Sequence, residues 1–176
     1  SGDDGERPPG RWVLIGAERG GTGMHVDPLW THAWVTLLEG RKRWCLFPPD
    51  SDAETIGLPA HNGLYESAPP LSASEWFERI YPRTKRNDWP KGLAPTEVLQ
   101  NPGETVYVPA GWAHVVLNLD RSLALTHNYA GRGPYFDRMW YDMATYEPAF
   151  ARTWLRRLRL ERPDLARDVE DAHRKD

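Results

Sequence analysis

Through the first three quarters of the chain, apolar residues come in short runs that alternate with polar ones, and turn residues cut the runs apart. A two-residue period is that of a β-strand, whose side chains point alternately to opposite faces. Arg11-Trp12-Val13-Leu14-Ile15-Gly16 reads as a buried strand, and Glu18-Arg19-Gly20-Gly21-Thr22 as a glycine-rich turn. Gly23 to Asp27 is a short strand stopped by Pro28. Thr31 to Leu38 and Lys42 to Phe47 flank Glu39-Gly40-Arg41, which predicts a hairpin. Further strands are expected at Glu97-Val98-Leu99, Thr105 to Val108, His114 to Leu119 and Leu123 to Tyr129. Asn101-Pro102-Gly103-Glu104 and Pro109-Ala110-Gly111 are turns between them.

Two stretches interrupt this pattern. Pro48 to Pro70 is rich in Pro, Gly, Ser, Asp and Asn and reads as a long connection, and Lys85 to Pro95 as another irregular stretch. Ser74 to Ile80 reads as a short helix ended by Pro82. From about Tyr135 the period becomes helical. Phe150, Trp154, Leu155 and Leu158 form an apolar stripe, and Pro163 is placed to open a last helix bearing Leu165 and Val169. Many short strands followed by helices predict a mainly β fold, an antiparallel sandwich or barrel over residues 1–134, with a C-terminal helical segment over 135–176.

The chain has 176 residues, enough for one domain with a sizeable core, and its nine tryptophans favour a well-packed body. No apolar run is long enough to span a bilayer, and the first residues do not resemble a secretory signal, so no membrane partner is expected. The one cysteine, Cys45, excludes an internal disulfide and suits a reducing, intracellular compartment. A net charge of −3 argues against a nucleic-acid partner, and the basic stretches Arg41-Lys42-Arg43 and Arg156-Arg157 read as solvated faces.

Candidate chemistry sits on the strands. His25 and Asp27 are two apart, so on one strand they project to the same side, and His114 would join them from another strand. Two imidazoles and one carboxylate are the facial ligand set of non-haem Fe(II) oxygenases, which leaves positions open for a chelating cosubstrate and O₂. Taken alone, a His-x-Asp pair fits a surface hydrogen-bonding pair as well. Lys42 shares a strand face with Trp44 and Leu46, where it either snorkels to water or meets an anion. His114 and Asn118 share one face of their strand, and Ser122, Ala124, Thr126 and Asn128 share one face of the next. These small polar faces either meet solvent or line a cavity. His32, His61, His127 and His173 have no matching pattern and read as ordinary histidines.

With these residues in view, the chain resembles the Jumonji C (JmjC) family, and within it the JmjC domain-containing protein 6 subfamily of lysyl hydroxylases. The matching stretches include Gly21-Thr22-Gly23-Met24-His25-Val26-Asp27-Pro28-Leu29 and Gly40-Arg41-Lys42-Arg43-Trp44-Cys45-Leu46-Phe47-Pro48. Asn101-Pro102-Gly103-Glu104-Thr105-Val106-Tyr107-Val108-Pro109, Gly111-Trp112 and His114 to Asp120 follow in the same order. The resemblance implies a double-stranded β-helix that binds Fe(II) and 2-oxoglutarate. It implies His25, Asp27 and His114 as metal ligands and catalytic centre. Lys42 and Thr126 would hold the distal carboxylate of 2-oxoglutarate, Thr22 and Asn118 would line the same cavity, and Trp112 would help position substrate. The expected substrate is a lysine-containing protein or peptide, with methylarginine second. A nuclear or cytoplasmic location is expected with it, and the apolar stripe of the tail is expected either to cover the barrel or to pair with a second copy in a homodimer through the C-terminal helices.

Two departures bear on these expectations. Val35 stands where the family usually has an asparagine inside the barrel, so a polar contact near the cosubstrate is lost. The family also has upstream strands and a tyrosine that contacts 2-oxoglutarate, so this chain is expected to lack the N-terminal part of the domain. A non-catalytic binding module and a small-molecule oxygenase on the same fold are the rival readings. Substrate choice is expected to lie in loops such as Pro48 to Pro70.

Overall fold

The computed structural model describes residues 11–59 and 71–172. Eight strands form two antiparallel sheets. The first contains β1 (Arg11–Gly16), β3 (His32–Glu39), β6 (Thr105–Val108) and β8 (Ser122–Tyr129), in the order β1-β8-β3-β6. The second contains β2 (Gly21–His25), β4 (Lys42–Phe47), β5 (Thr96–Gln100) and β7 (Ala113–Asn118), in the order β2-β7-β4-β5. The sheets stack as a sandwich, with Ala33, Val35, Leu37, Trp44, Leu46, Val108 and Val116 in one apolar cluster between them. Among the described residues no strand pairs across from one sheet to the other, so the sandwich is open where a closed barrel was expected. Among the described residues the α-helices hold as many residues as the strands, most of them in the C-terminal tail that follows the β-sandwich.

A second cluster lies behind the second sheet, where Met24, Cys45, Phe47 and Val115 meet Ile56 and Trp76. The latter two come from α1 (Ala53–Ile56) and α2 (Ala73–Arg79). β4 is therefore buried on both faces, which explains its near-continuous apolar run after Arg43. A capping box fixes the start of α2: Ser72 accepts from the Glu75 N–H, and Glu75 accepts from the Ser72 N–H. Gln100, fully buried on β5, ties the sheets together. Its amide nitrogen donates to the Val35 carbonyl at 2.8 Å, and its oxygen accepts from the Trp44 indole at 2.9 Å. Burying an amide is unfavourable unless it is hydrogen-bonded, and here both of its ends are.

Several expectations change. β1 is an edge strand and is not buried; Val13 and Ile15 are 61% and 78% exposed, because nothing described covers the outer face of its sheet. β2 starts two residues earlier than expected and stops at His25. Asp27 instead sits at the head of a 3-10 turn over Pro28–Trp30, with no side-chain capping bond. β3 and β4 do not form a hairpin, because they belong to different sheets. Gly40, at φ +80°, lets the chain cross between them beside the Arg121 carbonyl. The connection after Pro48 contains α1, capped by Asp52 and closed by Gly57 in the left-handed region. Residues 60–70, His61 and His173 lie outside the described residues.

The tail forms three helices, each opened by a proline at its start: α3 (Pro134–Tyr146), α4 (Pro148–Glu161) and α5 (Pro163–Ala172). The Phe150, Trp154, Leu155 and Leu158 stripe packs within this bundle, against Phe136, Met139, Trp140, Ala166 and Val169. It does not cover the sandwich, because α3 and α5 already take up the apolar face of α4. No helix among the described residues is long and apolar enough to cross a membrane.

Candidate metal centre

His25 ends β2, Asp27 follows it at the head of the 3-10 turn, and His114 lies on β7 directly opposite His25 in the strand register. The strand alternation expected to put His25 and Asp27 on one face does not apply, because β2 ends at His25; cross-strand pairing brings the two histidines together, and Asp27 is brought round by the turn. One donor atom from each residue lies within 4.8 Å of the others. His25 Nε2 is 3.8 Å from Asp27 Oδ1, and the two imidazole rings are 4.1 Å apart. Bonds of about 2.0–2.2 Å to one ion would hold the cis donors of a facial set about 3 Å apart, so these donors have to close in by about 1–2 Å to complete the set.

The surroundings prepare these groups as ligands. His25 Nδ1 lies 2.8 Å from the Gly23 carbonyl, and His114 Nδ1 lies 3.1 Å from the Trp112 carbonyl. A carbonyl only accepts, so each imidazole carries its proton on Nδ1 and turns the Nε2 lone pair toward the site. His114 is 4% exposed, and burial pushes its pKa well below the usual 6.5, with the nearby His25 adding to the effect. It is therefore neutral and able to coordinate. Asp27 Oδ2 is buried without a hydrogen-bond partner. Burial raises the Asp27 pKa, and the neighbouring His25 and Asn128 partly offset the rise. An orphaned carboxylate oxygen beside two pre-aimed imidazoles fits a divalent cation of the Fe(II) type.

The three residues open into a cavity of about 310 Å³ between the sheets. Its wall also includes Trp12, Thr22, Val35, Lys42, Trp44, Thr126 and Asn128. Lys42 is 5% exposed, and its ammonium donates to the Asn118 amide oxygen at 2.6 Å. Burial lowers its pKa, and among the described residues no carboxylate pairs with it. An inward cation without a carboxylate partner, in a small and mainly apolar cavity, suits an anionic ligand. Thr126 donates its hydroxyl to the Trp34 carbonyl at 3.0 Å. Val35 pairs with Thr126 across the strands and gives the cavity an apolar wall at that point.

The sequence-predicted residues do not all take equal places. Thr22 borders the cavity from an exposed position. Asn118 is buried behind Lys42 and also donates to the Ala17 carbonyl at 3.1 Å. The Trp112 side chain packs on the cluster between the sheets and does not border the cavity; its backbone carbonyl is what reaches the site, through His114. Asn128 and Trp44 were not picked out as site residues. Asn128 lies beside Asp27 and donates to Thr31 Oγ1 at 3.0 Å, and the Trp44 ring stacks on His114 at 6.1 Å. Both share a strand face with a residue that the resemblance places in the cavity, Trp44 with Lys42 and Asn128 with Thr126, so face membership was the signal that could have found them.

The family model described as "JmjC domain, hydroxylase" matches residues 12–129. The chain belongs to the JmjC family. The open sandwich is accordingly of the cupin-like kind found in that family. A Caenorhabditis elegans protein named bifunctional arginine demethylase and lysyl-hydroxylase psr-1 is 39% identical over 170 residues, covering 97% of this chain and 42% of that protein. An Arabidopsis thaliana protein named arginine-specific demethylase JMJ22 is 44% identical over 127 residues, 72% of this chain and 24% of its own length. A Gallus gallus protein named 2-oxoglutarate and iron-dependent oxygenase JMJD4 is 29% identical over 119 residues, 68% of this chain and 26% of its own length. The chain therefore spans less than half the length of these relatives.

Proposed function

We propose that this chain carries the core of an Fe(II)- and 2-oxoglutarate-dependent dioxygenase that hydroxylates lysine side chains of proteins, with arginine demethylation as a second activity. The observation that carries this reading is one cavity walled by both a three-donor metal set and a lysine that has no carboxylate partner among the described residues. The names of the relatives support the substrate class. In this reading the sandwich is the double-stranded β-helix of residues 1–134, and residues 135–176 are its helical extension.

His25, Asp27 and His114 would hold Fe(II), and Lys42 with Thr126 would hold the far carboxylate of 2-oxoglutarate. When bound, the metal and cosubstrate together supply O₂-dependent oxidation of a substrate C–H bond. The chain's own contribution is positioning. The Gly23 and Trp112 carbonyls hold both imidazoles in one tautomer. Lys42 provides a fixed positive charge, and Asn118 orients it. To serve a carboxylate, the Thr126 hydroxyl has to turn away from the Trp34 carbonyl. Thr22 would line the mouth, and Trp112 would position substrate through the loop before His114. The apolar Val35 gives up a polar contact, so cosubstrate affinity is expected to be modest.

A nuclear or cytoplasmic location is part of the same reading, supported by a lone, fully buried cysteine. A homodimer through the C-terminal helices would have to use outward residues such as Tyr141, Tyr146 and Leu160, since the Phe150 stripe is packed inside the chain. The test of the function is mass spectrometry of lysine-containing and methylarginine-containing peptides incubated with the protein, Fe(II), 2-oxoglutarate and O₂. Gain of one oxygen on lysine, dependent on 2-oxoglutarate, is the expected result. Turnover of 2-oxoglutarate with small molecules alone would favour the small-molecule oxygenase, and metal binding without turnover would favour the binding module.

A further inference from the structure

The segment that carries Asp27 into place is strained. Leu29 and Trp30, in the turn immediately after it, have left-handed backbone angles, φ 56° and 52°. Side chains bearing a Cβ rarely adopt that region, and such strain persists only where the surroundings over-determine it. Here the surroundings are one helix of the tail. The Trp30 indole N–H donates to Asp142 Oδ2 on α3 at 2.6 Å. Asp142 is 1% exposed, and its other oxygen pairs with Arg138 at 3.4 Å. The Arg138 guanidinium lies 5.3 Å from the Trp30 ring centre. The Tyr135 ring stacks on Trp30 at 5.7 Å and 6° between planes. Leu29 packs into the tail cluster.

The same helix reaches the other ligand loop. Gly111, at φ +76°, lies three residues before His114, and a Cβ there would fall 2.6 Å from the Tyr135 ring. Only a glycine lets the ring rest against that backbone. Tyr135 thus touches the turn after Asp27 and the turn before His114 at once. A carboxylate as buried as Asp142 is unfavourable unless its partners compensate, and its partners here are the Trp30 indole N–H and the arginine that lies over that ring.

We propose that α3 positions the metal centre. The Trp30–Asp142 bond and the Tyr135 contact with Gly111 clamp the two turns that aim Asp27 and His114, and Trp30, Tyr135 and Asp142 are positioning residues. This rests on the metal-centre reading above. It assigns the helical tail a part in metal binding that the apolar stripe of α4 does not have.

The test is calorimetric titration of Mn(II) into the intact chain and its variants, at a temperature well below each melting midpoint. Groups that orient metal ligands typically contribute about 10–100-fold in metal affinity. Trp30→Phe keeps a stacking ring and removes the N–H, and is expected to weaken Mn(II) binding by about tenfold, the low end of that range, because it acts one step further out. Asp142→Asn, which keeps the volume and an accepting oxygen, is expected to weaken it less, and decides the matter if Trp30→Phe does not fold. Leu158→Ala loosens the tail core without touching Trp30, and should lower the melting midpoint while leaving Mn(II) affinity unchanged. Unchanged affinity in Trp30→Phe, or in Asp142→Asn where that variant decides, overturns the proposal. So does an equal loss in Leu158→Ala, which would make the effect one of general stability. A wild-type chain that takes up no Mn(II) overturns the metal-centre reading and this inference together. That outcome is distinct from a wild type and a Trp30→Phe variant that bind equally well.

Discussion

At one end of the cavity backbone carbonyls leave the ligand atoms free; at the other, the polar groups are already engaged with internal partners. The His25 and His114 rings are fixed by the Gly23 and Trp112 carbonyls, so their free nitrogens converge before any ion arrives. Lys42 is held by the Asn118 amide, and Thr126 is turned toward the Trp34 carbonyl. The metal end has only to draw its donors together, and the anion end has to exchange internal hydrogen bonds for those of its ligand. The comparison teaches that metal affinity and anion affinity should be separable by mutation, and that the anion end should be the weaker of the two.

The largest effect is expected at the metal end. Asp27→Ala or His25→Ala should abolish stoichiometric Mn(II) binding in calorimetry, and retention of full affinity in both variants would remove the three-ligand assignment. Next comes the anion end. A charge-assisted hydrogen bond contributes about 1.5–3 kcal/mol. Lys42→Ala should therefore weaken 2-oxoglutarate binding by about tenfold to a hundredfold. Metal binding should be unchanged in the same variant, since Lys42 is not a donor to the metal set. Loss of both affinities together would break the separation of the two ends. Thr126→Val removes a neutral donor worth about 0.5–1.5 kcal/mol, so its effect on 2-oxoglutarate should be smaller, about twofold to tenfold.

The smallest effect concerns pH in the absence of metal. Burial holds the His114 pKa well below 6.5. The unfolded chain therefore binds this proton more readily than the folded one, and stability falls as pH drops below about 6.5. Asp27, with its pKa raised, acts in the opposite sense above 3.8 and partly offsets the fall. The melting midpoint should decline between about pH 7 and about pH 5.5, and His114→Gln should flatten that slope. An equal slope in the variant would assign the decline to other groups.

Much of the sandwich was legible because inward faces alternate. Thr126 and Asn128 of the small polar face of β8, and Lys42 and Trp44 of one face of β4, line the cavity, and the period-two rule showed which residues share each face. Strand pairing was less legible. The segments on either side of Gly40 look like a hairpin locally, yet the connection crosses from one sheet to the other, and that choice is made by packing of β4 between two clusters. β1 was misread as buried because its apolar run carries no mark of being an edge. The site residues were legible as types, but how Asp27 is held was not. A left-handed turn at Leu29 and Trp30 has no sequence signature in residues of that kind, and the Asp142 that meets Trp30 is 112 positions away.

The central claim is that one cavity joins a metal set to an anion anchor. Its most direct measurement is calorimetric titration of 2-oxoglutarate into the wild-type chain, with and without saturating Mn(II). The account predicts stoichiometric binding when metal is present, and binding weaker by at least about tenfold when it is absent, since one carboxylate then loses its partner. Equal 2-oxoglutarate affinity with and without Mn(II), or no binding in either case, would contradict it.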